Sequence, residues 1–375
     1  MPVDSYIEHP DQLGEVVASL RGEPLVAVDT EAASFHKYRD RIYLVQLSTP
    51  TRTLIVDPLP LGNLSPLGEL LADAGVEKVF HDADYDLRIL DRDYRFRATH
   101  LFDTRIAAQL AGEQAIGLAA LLEKYLGVKL SKEHQKADWS RRPLPPDMLA
   151  YAASDTKHLP ELREKLRARL NEMGRLSWVE EECRRLEGLR WTGPADAAEG
   201  YLRIKGSKAL AGRQLAALRE LYLWRENLAA RQDKAPFRIV GNDVLLAVSR
   251  SLPRTQPALS ATPGVPPSLA ARYGTMLLEG VTRALDLDES ALPHVERAAR
   301  LPRDPNFEVR VERLKAFRNR IAAELGIDPG VLCGRGTLEA VARAQPRDRG
   351  ELASVGELRT WQVELLGEGF LTALG

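Results

Sequence analysis

Residues 25–31 read Leu-Val-Ala-Val-Asp-Thr-Glu, four apolar positions behind Pro24 and then two carboxylates. An unbroken apolar run of that length predicts a strand buried on both faces, in the middle of a sheet flanked by helices. Residues 42–47 and 53–57 repeat the strand pattern. The short polar connection between them predicts an antiparallel hairpin. Further strands are expected at 78–80 and 100–102, with a leading strand or turn and a short helix before residue 23. Helical spacing runs through 64–74, 84–91, 106–111 and 118–126, then through a long stretch from 146 to 170. Strands alternating with helices after an initial hairpin indicate an α/β domain with a mixed sheet covered on both faces.

Beyond residue 200 only the helical period remains. Leu215, Leu218 and Tyr222 form one apolar stripe, and Leu314, Phe317, Ile321 and Leu325 another. The two stripes belong to an internal repeat. Trp224-Arg225 matches Phe317-Arg318, Pro236 matches Pro329, and Leu245, Arg250 and Pro253 match Leu338, Arg343 and Pro346, all at one constant interval without a gap. The small, polar stretch from Gly193 to Gly200 reads as a linker. The expected organisation is therefore an α/β domain over 1–192, a linker over 193–208, and two small all-helical domains over 209–290 and 305–375.

Composition narrows the function classes. The 375 residues carry 52 Lys plus Arg against 53 Asp plus Glu, for a net charge of −1. Neutrality overall leaves room for local basic faces. No apolar run is long enough for a bilayer, and no charged segment followed by an apolar one opens the chain, so no membrane partner is expected. Cys183 and Cys333 are the only cysteines and lack metal-type spacing, which suits a reducing compartment, with the cytoplasm as the expectation. A helicase is disfavoured because no G-x-x-x-x-G-K-[ST] loop occurs.

The chemistry is carried by acids. Asp29 and Glu31, two apart on a strand, point to one side. Two anions side by side at the end of a buried strand repel and lose hydration, and a divalent cation removes that difficulty. Asp82, Asp84 and Asp86 follow the strand at 78–80, and the ends of neighbouring strands open onto one crevice; spacing alone does not choose among these three. Tyr151 and Asp155 stand four apart on a helix, so phenol and carboxylate share a face. A phenol one turn from an acid suits the orientation of a water.

Taken together, Asp29-x-Glu31, an acid at a strand-to-helix junction and Tyr151-x-x-x-Asp155 resemble the DEDD exonuclease superfamily in its tyrosine variant. The surrounding residues narrow the resemblance to the ribonuclease D family: Val28-Asp29-Thr30-Glu31, Leu44-Val45-Gln46-Leu47, His81-Asp82-Ala83-Asp84-Tyr85-Asp86-Leu87, and the loop from Ser131 through Trp139 to Arg142-Pro143-Leu144. The second-block acid then falls on Asp86. The segment from Ser34 to Arg41 departs from the family, which often has aromatic and proline residues there. The helical repeat resembles tandem HRDC domains, the first copy more closely.

The resemblance implies a ribonuclease H-like α/β nuclease domain followed by the two helical domains. It implies a 3′→5′ exoribonuclease that releases nucleoside 5′-monophosphates, with two divalent ions (Mg²⁺ or Mn²⁺) held by Asp29, Glu31, Asp86 and Asp155, and with Tyr151 completing the catalytic set. Thr30, His81, Gln135, Lys136 and Arg142 are the expected nucleic-acid contacts. The expected partner is RNA with a single-stranded 3′ end, tRNA precursors above all, bound by a monomer. Basic residues on the first helix of each copy, Arg213, Arg219 and Arg225 in one and Arg310, Arg313, Lys315, Arg318 and Arg320 in the other, are candidate phosphate contacts. A 3′→5′ DNA exonuclease, or a nucleic-acid-binding scaffold on an inactive nuclease fold, are the competing readings.

Overall fold

Six strands form one sheet in the order β1-β4-β3-β2-β5-β6, with β1 Ser5–Ile7, β2 Leu25–Ala32, β3 Ile42–Ser48, β4 Thr53–Val56, β5 Glu77–Phe80 and β6 Leu101–Asp103. The computed structural model describes residues 4–131, 133–193, 197–294, 304–356 and 358–375. β2 and β3 are antiparallel, as are β3 and β4, which is the expected hairpin. β5 and β6 run parallel to β2, and β1 runs parallel to β4. The apolar run Leu25–Val28 is buried throughout, and all seven residues of β3 are buried, so these two strands are the centre of the sheet. In the β2–β3 register Asp29 stands opposite Gln46 and Glu31 opposite Leu44.

Two local departures have simple causes. The helical stretch expected from 146 to 170 is two helices, Pro146–Lys157 and Leu159–Glu172, that meet at His158. Pro160 lacks an N–H and is tolerated only in a first turn, so the helix restarts one residue before it. The last strand starts at Leu101 because His100 adopts a left-handed φ of 55°.

The chain divides into two compact units, and the division does not follow the expected domain order. One unit comprises Met1–Ala32, Ile42–Trp191 and Pro302–Gly375, so it joins the α/β domain to the second helical copy. A single hydrophobic core runs from β2 and β3 into Leu314, Leu338, Leu366 and Phe370. Trp178 stacks on Trp361 with ring centroids 4.7 Å apart, and Arg359 pairs with Glu182 at 2.9 Å. The buried Arg175 donates to Leu110 O and Leu325 O at 3.0 and 2.9 Å. The second copy, expected as a helical domain of its own, packs onto the nuclease domain within this unit.

The other unit comprises Ala33–Arg41 and Thr192–Leu301. Its core gathers Leu215, Leu218, Leu245 and Leu277. The stretch 193–208, expected as a linker, contributes the buried Tyr201 and Ile204 to that core and forms the short 3-10 segments Ala197–Arg203 and Ser207–Ala209. The polar spacing that suggested a linker hid these two apolar anchors. The segment 33–41, which leaves β2 just after the acid pair, packs into the same unit: Tyr38 lies against its core, and Lys37 pairs with Asp233 at 2.8 Å.

Several arginines expected at phosphates serve the fold. Arg225 donates to Val240 O, and Arg318, its counterpart in the second copy, donates to Cys333 O, the counterpart of Val240. Arg310 is buried and donates to Ala342 O at 3.0 Å, and Arg213 donates to Ala284 O and Leu287 O. These cations satisfy carbonyls near helix ends, which no helical-wheel reading distinguishes from a solvated basic stripe.

A chain ending at residue 301 would strip Trp361 from Trp178 and leave apolar surface of the nuclease domain in water. It should unfold at a lower temperature than the full chain and aggregate, as read by differential scanning calorimetry and light scattering. An unchanged midpoint for the nuclease transition would mean that the α/β domain is self-sufficient.

Candidate active site

Asp29 and Glu31 project from one face of β2. The helix Pro146–Lys157 covers that face, since Ser48 Oγ on β3 meets Thr156 Oγ1 at 2.7 Å. Asp155, the residue before Thr156, completes a cluster in which carboxylate oxygens of Asp29, Glu31 and Asp155 lie within 4.8 Å of one another. The strand period and the helical repeat together therefore bring these three acids to one point.

Asp86 comes from the other side of β2. It is buried in the first turn of the helix Asp84–Tyr94 and accepts a hydrogen bond from the Thr30 hydroxyl. It stands outside the three-acid cluster, but its charge still pushes up the pKa values of Asp29 and Glu31. Asp82 and Asp84 face elsewhere, paired with Arg105 and Arg88 at 2.8 and 2.7 Å.

A residue that pattern reading missed fixes this corner. Asp103, buried at the end of β6, accepts from the backbone N–H groups of Asp82, Ala83, Arg105 and Ile106. One carboxylate thus caps the helix Thr104–Leu110 and ties down the turn that launches the Asp86 helix, where Asp82 has a left-handed φ of 69°. The signal available in sequence was Asp103-Thr104 at a strand-to-helix junction, a capping pattern.

Tyr151 lies between two rings. His134 meets it edge-on with centroids 5.8 Å apart, and the buried Trp139 lies at 6.1 Å. His134 is itself tied to Asp147 at 3.1 Å. Burial first, then the charges of Asp155, Glu31 and Asp29, push the phenol's pKa well above its ordinary value. The phenol is protonated at neutral pH and lies in the field of all three carboxylates.

The acids respond to the same crowding. Burial, with the repulsion of the neighbouring carboxylates, holds Asp29 and Glu31 well above the usual carboxylate range. Burial pushes Asp86 and Asp155 up to about 7. Hard oxygen donors converging without a cationic side chain among them are the donor set that Mg²⁺ or Mn²⁺ takes, and one that zinc does not prefer. Asp29, Glu31 and Asp155 could hold such an ion, with Asp86 beside them.

The expected nucleic-acid contacts divide. Gln135 and Lys136 are exposed on the loop before the Tyr151 helix. Thr30 is buried and spent on Asp86. His81 is half-buried, and the Thr104 hydroxyl already donates to Phe80 O, so it accepts from His81 Nδ1–H. Burial lowers the ring's pKa to about 4, so it is neutral and offers a phosphate no charge. Arg142 is engaged within the fold. Its Nε and Nη2 pair with the buried Asp57, Nη2 also donates to Tyr43 O, and Nη1 donates to Trp139 O. It clamps the Trp139 loop to the sheet, which its place in a polar loop did not reveal.

Comparisons with known proteins place the chain in a family. A family model described as 3′-5′ exonuclease matches residues 5–171, and an HRDC domain model matches 214–281 and 307–374. Ribonuclease D of Pseudomonas paraeruginosa is 30% identical over 375 residues, covering 100% of this chain and 98% of its own. The chain belongs to the ribonuclease D family. Ribonuclease D of Granulibacter bethesdensis is 31% identical, covering 99% of this chain and 92% of its own. The crystal structure of Escherichia coli RNase D, described as an exoribonuclease involved in structured RNA processing, matches with a TM-score of 0.72 at 27% identity over 98% of both chains. As a ribonuclease D the protein is a 3′-5′ exoribonuclease, it acts on RNA, and its exonuclease fold works with a divalent metal. No helix among the described residues is long and apolar enough to cross a membrane.

Two expectations follow. In the metal-free protein the acids of the site bind protons more tightly than in the unfolded chain, where an Asp titrates near ~3.9. Their contribution to stability is then complete below pH ~4 and is lost as pH rises through about 7. Thermal midpoints measured in chelator should accordingly fall between about pH 5 and pH 8, and Asp29→Asn should raise the midpoint at the upper end. Added Mg²⁺ should reverse the fall for the parent protein. A chelated protein with no pH slope would mean that the acids are well solvated. Arg142→Ala takes the cation from the buried Asp57 carboxylate and leaves it the hydrogen bonds of the Tyr6 hydroxyl and Leu59 N–H, so it should cost up to roughly 3–5 kcal/mol in denaturant titrations with little change in the salt dependence of RNA binding.

Proposed function

We propose that the chain removes nucleotides from the 3′ end of RNA by two-metal hydrolysis, releasing nucleoside 5′-monophosphates, with Asp29, Glu31, Asp86 and Asp155 as metal ligands and Tyr151 as the residue that orients the attacking water. The observation that carries this reading is the convergence of Asp29, Glu31 and Asp155 within 4.8 Å, with Tyr151 one helical turn from Asp155. Two divalent cations, Mg²⁺ or Mn²⁺, when bound, supply the charge that stabilises both the attacking and the leaving oxygen.

The chain's own residues do the rest. Asp29, which feels the charges of Glu31, Asp86 and Asp155, would be shared by both cations. With the cations bound, Glu31 and Asp155 would hold the one that activates the attacking water, and Asp86, fixed by Thr30, would hold the other. Tyr151 stays protonated at neutral pH, so its hydroxyl donates or relays a hydrogen bond and does not act as the general base. His134 and Trp139 hold its ring so that the hydroxyl keeps one direction. Gln135 and Lys136, exposed on the adjoining loop, contact the backbone of the 3′ tail. The substrate is structured RNA with a single-stranded 3′ tail, tRNA precursors in particular, processed in the cytoplasm by a monomer.

End-labelled tailed RNA and the matching DNA, each with Mg²⁺, with Mn²⁺ and with chelator, test the reading. RNA should shorten from its 3′ end to give 5′-monophosphates, and chelation should stop the reaction. Asp29→Asn and Asp155→Asn should abolish cleavage, and Tyr151→Phe should slow it by about 10²–10⁴-fold, the range of a positioned proton-handling group. Full activity in chelator, or a Tyr151→Phe enzyme as fast as the parent, would sink the mechanism. Equal rates on DNA would make the enzyme a general 3′ exonuclease.

A further inference from the structure

Gln46 lies directly opposite Asp29 in the β2–β3 register. Opposed residues of neighbouring strands share a face, with Cβ atoms roughly 4.5–5.5 Å apart. Ser48, two residues on, shares that face too, and its bond to Thr156 identifies the face as the one beneath the helix of Tyr151 and Asp155. Gln46 is fully buried there, with 0% of its surface exposed. Neither its Nε2 nor its Oε1 has a hydrogen-bond partner among the described residues.

The positions around it do not account for an amide. Leu44 and Ile55 on the same face are apolar and buried, and the Ser48 hydroxyl is already bonded to Thr53 and Thr156. Packing alone would be served by leucine or methionine, without the cost of two unpaired polar groups in the interior. The polar group across the strand from Gln46 is the carboxylate of Asp29. A carboxamide suits that neighbour better than a cation would. It can donate to a carboxylate oxygen without neutralising it, so the negative charge stays available to a metal ion.

We propose that Gln46 is a positioning residue of the metal centre, its carboxamide donating to the ionised Asp29 carboxylate and fixing which oxygens that residue turns toward the cation. The proposal rests on the reading that Asp29, Glu31 and Asp155 hold the ion. Partners of this kind, one step behind the ligands, typically govern metal affinity by 10–100-fold.

The test is Mn²⁺ binding to the full chain, followed by calorimetry and by electron paramagnetic resonance of the free ion, for the parent, Gln46→Met, Gln46→Leu and Asp29→Asn. Both Gln46 variants should bind Mn²⁺ about 10–100-fold more weakly, while their thermal midpoints in chelator equal or exceed the parent's, since an unpaired buried amide has been removed. In parent protein labelled with ¹⁵N-glutamine, the side-chain NH₂ resonance assigned to Gln46 should move as Mg²⁺ is added, a readout that needs no variant to fold. Parent-like Mn²⁺ affinity in the variants, or a stationary resonance while the ion binds, would overturn the role of Gln46 alone. A parent protein that binds no more Mn²⁺ than Asp29→Asn would overturn the acid cluster as the metal site, and this role with it.

Discussion

Anionic groups that would separate in water are here held together where water is scarce. Three carboxylates share one point, and a fourth acts on two of them from across β2. Among the described residues no cationic side chain joins that cluster to offset the repulsion, so the geometry must be imposed by structure that is stable for other reasons. The apolar run of β2 supplies one anchor, and the helix packed against β2, β3 and β4 supplies another. Asp103 supplies the third by gathering four backbone amides at the turn that sets Asp86. The repulsion among the acids is held in check by burial of core residues on every side, and a bound cation is what relieves it.

The basic residues follow an opposite rule. Many arginines that look available for phosphates are turned inward and spent on carbonyl oxygens or on a buried acid. Arg142 closes on Asp57, Arg225 and Arg318 each close on the carbonyl that ends a short connection, and Arg175 bridges two helix C-termini. A guanidinium's fork of donors suits this task.

What could be read from the sequence was what has a period or a fixed offset. β2, the β3–β4 hairpin, the Asp29–Glu31 pair, the Tyr151–Asp155 pair and the helical repeat all depend on spacing along a few residues, and spacing is visible. The break at His158 was also visible in Pro160. The features that escaped depend on residues far apart in the chain. Asp103 acts on a turn some twenty residues earlier. Gln46 is ordinary until the β2–β3 register sets it against Asp29. Tyr201 and Ile204 sit in a stretch whose small and polar residues suggested a linker.

The repeat shows how one fold came to serve two attachments. Inside each copy the arginine of the first helix makes the same bond to the same carbonyl, so the interior has kept its design. The outer positions have diverged. Trp361 and Arg359, which hold the second copy to the helix Leu176–Glu187, occupy places taken by Ser268 and Pro266 in the first. The corner that ends the first helix is used in both copies, with different chemistry. In the first copy it is Asp233, in the left-handed conformation, which pairs with Lys37 of the segment that follows the catalytic strand. In the second it is Gly326, approached so closely by Gly112 that a Cβ on the latter would come within 2.5 Å of the Gly326 oxygen. Gly112 itself has a φ of 81°, so both the conformation and the space require glycine there. A charged cap was kept where a polar segment had to be held, and bare backbone where two elements had to close without a gap. The helical pair is therefore better described as two copies of one interior with two unlike exteriors than as a tandem of equivalent RNA-binding modules.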